Sequence, residues 1–354
     1  MLSQSGFCDG NGAGKPRCQR DLALELIMIL SRNRLRTLRT RTMGFVAASL
    51  MPVLPMSHAG SIQKHSIPSR ALDRSRDVQV ALPASYDRSN SLRYPVLYLL
   101  DGQNVFSTAG PGAAFGWGGW DTDLTAQAMA REGFTKEIIL VAVHNSPARY
   151  QEYKGPSTNS ISSDSPHTRY TRFMVEELKP WVDRTFRTLP SPSDTAILGS
   201  SMGGLASLAI AWSHPTVFGG AGCLSGAFQV EGTNFLRTTL MPYAGAPKPF
   251  RIYIDSGVTD FTGGDDGRGN TERVVAQLRR IGWRDGINLR YEVDATPRRP
   301  DQLRQLGLPE HKWEEAQRSQ HNEFYWRIRF RDALRFLFPS QPSSTAGAQA
   351  GDAP

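Results

Sequence analysis

The pentapeptide Gly199-Ser200-Ser201-Met202-Gly203 lies between two segments of opposite character. Ala196 to Leu198 is a short apolar run that reads as a buried strand, and Leu205 to Trp212 reads as a helix. A serine at so abrupt a strand-to-helix turn projects its hydroxyl beyond the sheet edge. The flanking glycines let the strand and helix backbones approach without a Cβ clash. The N–H of the next residue, Met202, opens the helix and points to where an oxyanion would develop. A G-x-S-x-G pattern alone arises by chance in about one chain in four of this length, so the weight falls on its context.

That context is a regular alternation. Val78 to Leu82, Tyr94 to Leu100, Glu137 to Val143, the elbow strand, Phe218 to Leu224, Phe250 to Asp255 and Ile287 to Val293 all read as strands. Helical spacing runs through His167 to Phe186, Thr271 to Ile281 and Asn322 to Phe338. Strands alternating with helices imply an α/β fold, with a mostly parallel sheet covered by helices on both faces. The near-continuous apolar runs mark strands buried on both sides. No internal repeat is present.

The 354 residues carry a net charge of +8, distributed unevenly. Eight Lys/Arg against three acids fall before Gly60, so most of the basic excess sits at the N-terminus. With no basic-aromatic motif elsewhere, nucleic acid is excluded as the expected partner. Arg32 to Arg41 is basic, Met43 to Met56 is apolar, and Ser57-His58-Ala59 offers small residues at a cleavage site. This is the order of a secretory signal, with Met28 as an alternative start. Pro52 and Pro55 break the apolar segment, so stable membrane insertion is not expected. The expected organisation is therefore a leader at 1–59, a linker at 60–76, one domain at 77–338 and a Pro/Ser/Ala/Gly-rich disordered tail at 339–354. Removal of the leader takes Cys8 and Cys18 with it. Cys223, within an apolar strand, is then a core residue with no disulfide partner.

A nucleophilic Ser201 needs a general base and an acid that orients it, and on such a sheet they follow in the order Ser, Asp/Glu, His. Only His311 and His321 come late enough. His321 opens the last helix, where a base would hang over the sheet edge, while His311 sits in a charged, solvated segment. The acid should follow a strand between them. Asp260 is the first choice and Asp255 the reserve. Asp265 and Asp266, in Gly263-Gly-Asp-Asp-Gly, read as a solvated turn with too few oxygen ligands for calcium. The loop after an early strand, Leu100-Asp-Gly-Gln-Asn, offers the Gln103 N–H as second oxyanion donor. Trp117 and Trp120 follow that loop, and either stack on substrate or pack the loop onto the domain. Asn322, next to the base, is a further candidate substrate contact, and His144 reads as structural. No metal and no cofactor are called for.

Together, Val80-Ala-Leu-Pro, Tyr94 to Phe106 with its D-G-Q-N stretch, Trp120-Asp121, Arg149-Tyr-Gln-Glu-Tyr, the elbow, Ile252-Tyr-Ile-Asp-Ser-Gly and His321-Asn-Glu-Phe-Tyr-Trp resemble the esterase D / feruloyl esterase-like family of α/β-hydrolases. The resemblance covers roughly Asp77 to Phe338. It implies an α/β-hydrolase fold, Ser201 as nucleophile and His321 as base, with Asp260 matching the acidic position. Two departures stand out. Leu100 replaces a His common in the family, and the charged segment 294–320 is long, as a lid or a surface insertion. The implied activity is an exported serine esterase acting on acyl esters of carbohydrates or related small molecules. An acyltransferase using the same residues and a catalytically inactive exported binding module are the alternatives.

Overall fold

The computed structural model describes residues 60–156 and 164–340. The leader and most of the expected tail lie outside the described residues. Eight strands form one sheet: β1 (Ile62–Ser69), β2 (Arg74–Ala81), β3 (Val96–Leu100), β4 (Ile139–Val143), β5 (Thr195–Ser200), β6 (Gly220–Leu224), β7 (Arg251–Ser256) and β8 (Leu289–Val293). Their order is β1-β2-β4-β3-β5-β6-β7-β8. β1 and β2 pair antiparallel with each other, β2 pairs antiparallel with β4, and every pairing from β4 to β8 is parallel.

Period-two alternation explains the layers. On β3, Val96, Tyr98 and Leu100 face one core while Leu97 and Leu99 face another. β4 does the same with Ile139, Val141 and Val143 against Leu140 and Ala142. The first core is covered by the run of helix from Pro166 to Thr185, by the elbow helix α1 (Met202–Ser213) and by α2 (Arg268–Ile281). The second is covered by Thr122–Arg131 and the last helix, α3 (Glu323–Leu337). α1 is buried on nearly every face, as its apolar composition demands. The cysteine behaves as expected: Cys223 is buried on β6 and donates to the Gly204 carbonyl at 3.1 Å.

The expected linker at 60–76 is corrected. Ile62–Ser69 forms the edge strand β1, in register with Arg74–Ala81 of β2. Its pattern hides because only Ile67 and Ser69 are buried, with Ile62 and His65 half-buried and the other four residues exposed on a polar edge. The start of the expected tail is likewise ordered, Pro339 bridging to Thr135. Segment 294–320 folds into two short helices, Pro300–Gln305 and Trp313–Arg318. They enclose a small separate cluster in which Leu303, Leu308 and Ala316 pack with Trp117, Phe324 and Tyr325.

Candidate active site

The parallel strands all end on one side, and the chemistry-bearing loops follow those ends. Ser201 comes immediately after β5, with backbone φ 51° and ψ −122°. A positive φ at a non-glycine residue is costly and is held only where the surroundings enforce it. Here β5 must turn into α1 within one residue, and the Ser201 N–H donates to the Leu224 carbonyl on β6 at 2.9 Å. A Cβ at Gly199 would lie 2.6 Å from the Gly203 carbonyl carbon, so the turn closes only with glycine there. Met202 is the first residue of α1, so its N–H has no acceptor within the helix.

His321 stands over this serine. Its Nε2 lies 3.0 Å from Ser201 Oγ, and its Nδ1 lies 2.5 Å from Asp266 Oδ1. The ring is pinned edge-on by Trp326 at 5.0 Å and by Phe261 at 5.8 Å. Asp266 is buried, and its other oxygen, Oδ2, accepts from Ser225 Oγ at 2.7 Å and from the Gly257 N–H. Both carboxylate oxygens are thus fixed, which orients the imidazole through Nδ1.

The structure brings Asp266, and neither Asp260 nor Asp255, against His321. Asp260 turns back on its own loop: Oδ1 accepts from the N–H groups of Thr262 and Gly264, both at 2.8 Å, and from the Thr262 hydroxyl at 2.6 Å. Partial burial raises its carboxyl, but these hydrogen bonds outweigh it and hold the group below its ordinary value. Asp255, on β7, is spent beneath the site. Its Oδ1 accepts from Arg329 Nη1 at 2.8 Å and from the Ser225 N–H at 3.0 Å. Burial, against the opposing charge of Arg329, pushes the Asp255 carboxyl up to about 6. The expected solvated turn at Asp265-Asp266 is therefore corrected. Asp266 adopts φ 55° and Gly267 φ 67°, which swings the carboxylate inward immediately before α2 begins.

Beneath Asp266 lies a buried polar layer that sequence reading missed. Ser225 Oγ, besides donating to Asp266, receives Trp326 Nε1 at 3.2 Å and Arg329 Nη2 at 3.0 Å. Gln320 stitches the loop that carries His321 down. Its backbone N–H donates to Thr259 O at 2.8 Å, its Oε1 accepts from the Val258 N–H at 2.6 Å, and its Nε2 donates to Asp294 O at 2.7 Å. An arginine at position 329 of a charged helix reads as solvated, and only the sheet's placement shows it is buried.

A cavity of about 780 Å³ opens above Ser201 and His321. Gln103 lines it, with its Oε1 accepting from the Asn145 N–H at 3.2 Å. Trp117 and Trp120 form part of the wall but are buried: Trp117 packs with Phe324 and Tyr325, and Trp120 against Trp326 at 5.8 Å. Both therefore pack the loop onto the domain while lining the cavity. Phe115 and Phe261 are the strongly exposed aromatics of the cavity rim, 94% and 74% accessible. Asn322 is committed to the helix start, its Oδ1 accepting from the Tyr325 N–H at 3.3 Å and its Nδ2 donating to Ser319 O at 2.9 Å. Asp101, after β3, is held by Arg149 through Nε at 2.7 Å and Nη2 at 2.8 Å, and by Asn145 Nδ2 at 2.6 Å. His144 hydrogen-bonds Gln79 at 2.9 Å, and His311 sits on the exposed turn Glu310–Lys312.

A family model described as "Putative esterase" matches residues 69–337. The chain belongs to this esterase family. Among its relatives, an endo-1,4-beta-xylanase/feruloyl esterase of Xylanibacter ruminicola is 28% identical over 170 residues, covering 47% of this chain and 22% of that protein. An esterase of Mycobacterium tuberculosis is 31% identical over 152 residues, covering 42% of this chain and 28% of that one. The MPT51 antigen of Mycobacterium leprae is 29% identical over 227 residues, 64% and 60% of the two chains. The chain thus spans only about a quarter of the length of the first two of these relatives. A ferulic acid esterase superposes with TM-score 0.57 at 17% identity, over 79% of this chain and 99% of that one. The enterobactin esterase of Shigella flexneri also gives 0.57, at 16% identity, over 80% and 60%. At such identities the likeness establishes the α/β-hydrolase fold. Among the described residues no helix is long and apolar enough to cross a membrane.

Proposed function

We propose that the protein is a serine esterase that cleaves carboxylic esters through Ser201, His321 and Asp266. One observation carries the reading: His321 bridges Ser201 Oγ at 3.0 Å and the buried Asp266 carboxylate at 2.5 Å. Ser201 Oγ attacks the ester carbonyl while His321 Nε2 takes its proton. Asp266 holds the tautomer with the proton on Nδ1 and stabilises the imidazolium that forms. The Met202 N–H, and the Gln103 N–H across the cavity, are the donors assigned to the oxyanion. His321 then returns its proton to the leaving alcohol, and water repeats the sequence on the acyl-enzyme.

The cavity volume of about 780 Å³ and its polar wall of Gln103, Asn104 and Asn145 support acyl esters of sugars or comparable small molecules as substrates. Export through the leader is part of this reading, and N-terminal sequencing of the mature protein checks it. The deciding experiment is hydrolysis of 4-nitrophenyl acetate by the wild type and by Ser201→Ala, with fluorophosphonate labelling in parallel. Loss of both turnover and label in the variant is the expected result. Full turnover by Ser201→Ala refutes the reading.

A further inference from the structure

Glu323 lies on the wall of the same cavity, at the first position of α3, and the reaction proposed above makes no use of it. The other charged side chains on that wall have partners. Asp101 is gripped at two points by Arg149, Glu315 is paired with Lys312 at 2.9 Å, and His321 with Asp266. Among the described residues Glu323 forms no ion pair. The groups that face it are Asp101 and Arg149, from beyond β3 and β4, Lys312 and Glu315 from segment 294–320, and the neighbouring His321. Burial pushes its carboxyl up to about 7, opposed by a hydrogen bond from its own backbone N–H, helped by Asp101 and opposed also by Arg149 and Lys312. Once ionised, this carboxylate is a negative charge with no ion-pair partner among the described residues, offset only at longer range by Arg149 and Lys312, in a partly desolvated wall where charges act on a bound molecule more strongly than in water.

We propose that Glu323 is a specificity-determining residue that sorts esters by charge, admitting neutral or cationic groups beside the scissile bond and rejecting carboxylates. This rests on the serine-esterase reading and adds the class of substrate. A helix-start carboxylate also complements the helix dipole, but that role alone does not discriminate between substrates.

The test compares two esters of nearly equal size, 4-acetoxybenzoate and methyl 4-acetoxybenzoate, by kcat/KM. Taking a ratio cancels the titration of His321, which acts on both. At pH 8 the wild type prefers the methyl ester by about tenfold or more, as expected for like charges a few ångströms apart in an intermediate dielectric. Glu323→Gln brings the ratio to within about threefold of unity. In the wild type the preference also shrinks between pH 8 and pH 6 as Glu323 takes up a proton, while 4-acetoxybenzoate stays ionised. This second measurement serves if the variant folds poorly. Equal cleavage of the two esters by the wild type, a preference for the anionic one, or a preference unchanged in Glu323→Gln overturns the proposal. Absence of Ser201-dependent cleavage of both esters instead refutes the esterase reading on which it stands.

Discussion

Replacing Asp266 by asparagine tests the catalytic geometry most sharply, because the buried surroundings dictate how the new side chain must sit. The Oδ2 position receives two donors, Ser225 Oγ and the Gly257 N–H. The latter cannot become an acceptor, so the asparagine oxygen takes that position. Its NH2 group must then face His321 Nδ1, now 2.5 Å from Asp266 Oδ1. The imidazole can satisfy that donor only as an acceptor at Nδ1, with its proton on Nε2 pointing at Ser201. The base is then in the wrong tautomer to accept the serine proton. Loss of the correct tautomer in such a triad costs about 10⁴ in kcat, which corresponds to roughly 5 kcal/mol of transition-state stabilisation. Steady-state hydrolysis of 4-nitrophenyl acetate reads this directly. The expected result is a fall in kcat of about three to four orders of magnitude with KM nearly unchanged and the circular dichroism spectrum retained. Asp260→Asn, which touches only its own loop, stays within about threefold of wild type. An Asp266→Asn variant within about tenfold of wild type, or an Asp260→Asn variant as crippled as expected for Asp266, refutes the argument.

Two further predictions concern the layer beneath the site and the cavity wall. Arg329→Met leaves Asp255 buried without its guanidinium, and removing one partner of a buried pair costs about 3–5 kcal/mol. Denaturant titration measures that loss, and the double variant Arg329→Met/Asp255→Asn recovers a large part of it. Glu323, held in the folded state near a pKa of about 7 against an ordinary value of 4.5, binds its proton more tightly folded than unfolded. It therefore adds stability that is fully present below pH 4.5 and lost as pH rises through about 7, on the order of 3 kcal/mol. Urea titrations at pH 5 and pH 8 should show a smaller drop for Glu323→Gln than for the wild type.

The sheet was legible in the sequence because its central strands are buried on both faces. The runs at Val96–Leu100 and Ile139–Val143 are too short for a helix, and turn residues close in on them, so they read as strands. Ser201 was legible because a sharp strand-to-helix turn needs small neighbours, and His321 because chain order left so few candidates. Asp266 was not. Glycines around an acidic pair signal a turn but not its direction, and only the left-handed backbone at Asp266 and Gly267 points the carboxylate into the protein. β1 escaped for a related reason: an edge strand shares its hydrogen bonds with one neighbour and need not be apolar. Arg329 and Glu323 differ little in sequence from the solvated charges around them. What separates them is the depth of the helix face they occupy, which is a property of packing against the sheet.

The Gln320 side chain has a consequence for how such a protein can change. By bonding Asp294 O with one end of its amide and the Val258 N–H with the other, it ties together the two ends of segment 294–320. The segment is thereby pinched at its neck, and its Leu303, Leu308 and Ala316 pack outward onto Trp117, Phe324 and Tyr325. Exchange of its length and composition is confined to the stretch before Ala316, since Ser319 O accepts from Asn322 Nδ2, Ala316 O accepts from the Tyr325 hydroxyl, and both bonds support the start of α3 beside His321. A graft from a related protein that keeps Asp294 and Ala316 to Gln320 and replaces only the stretch between them is thus the way to vary the cavity wall while leaving these supports of His321 in place.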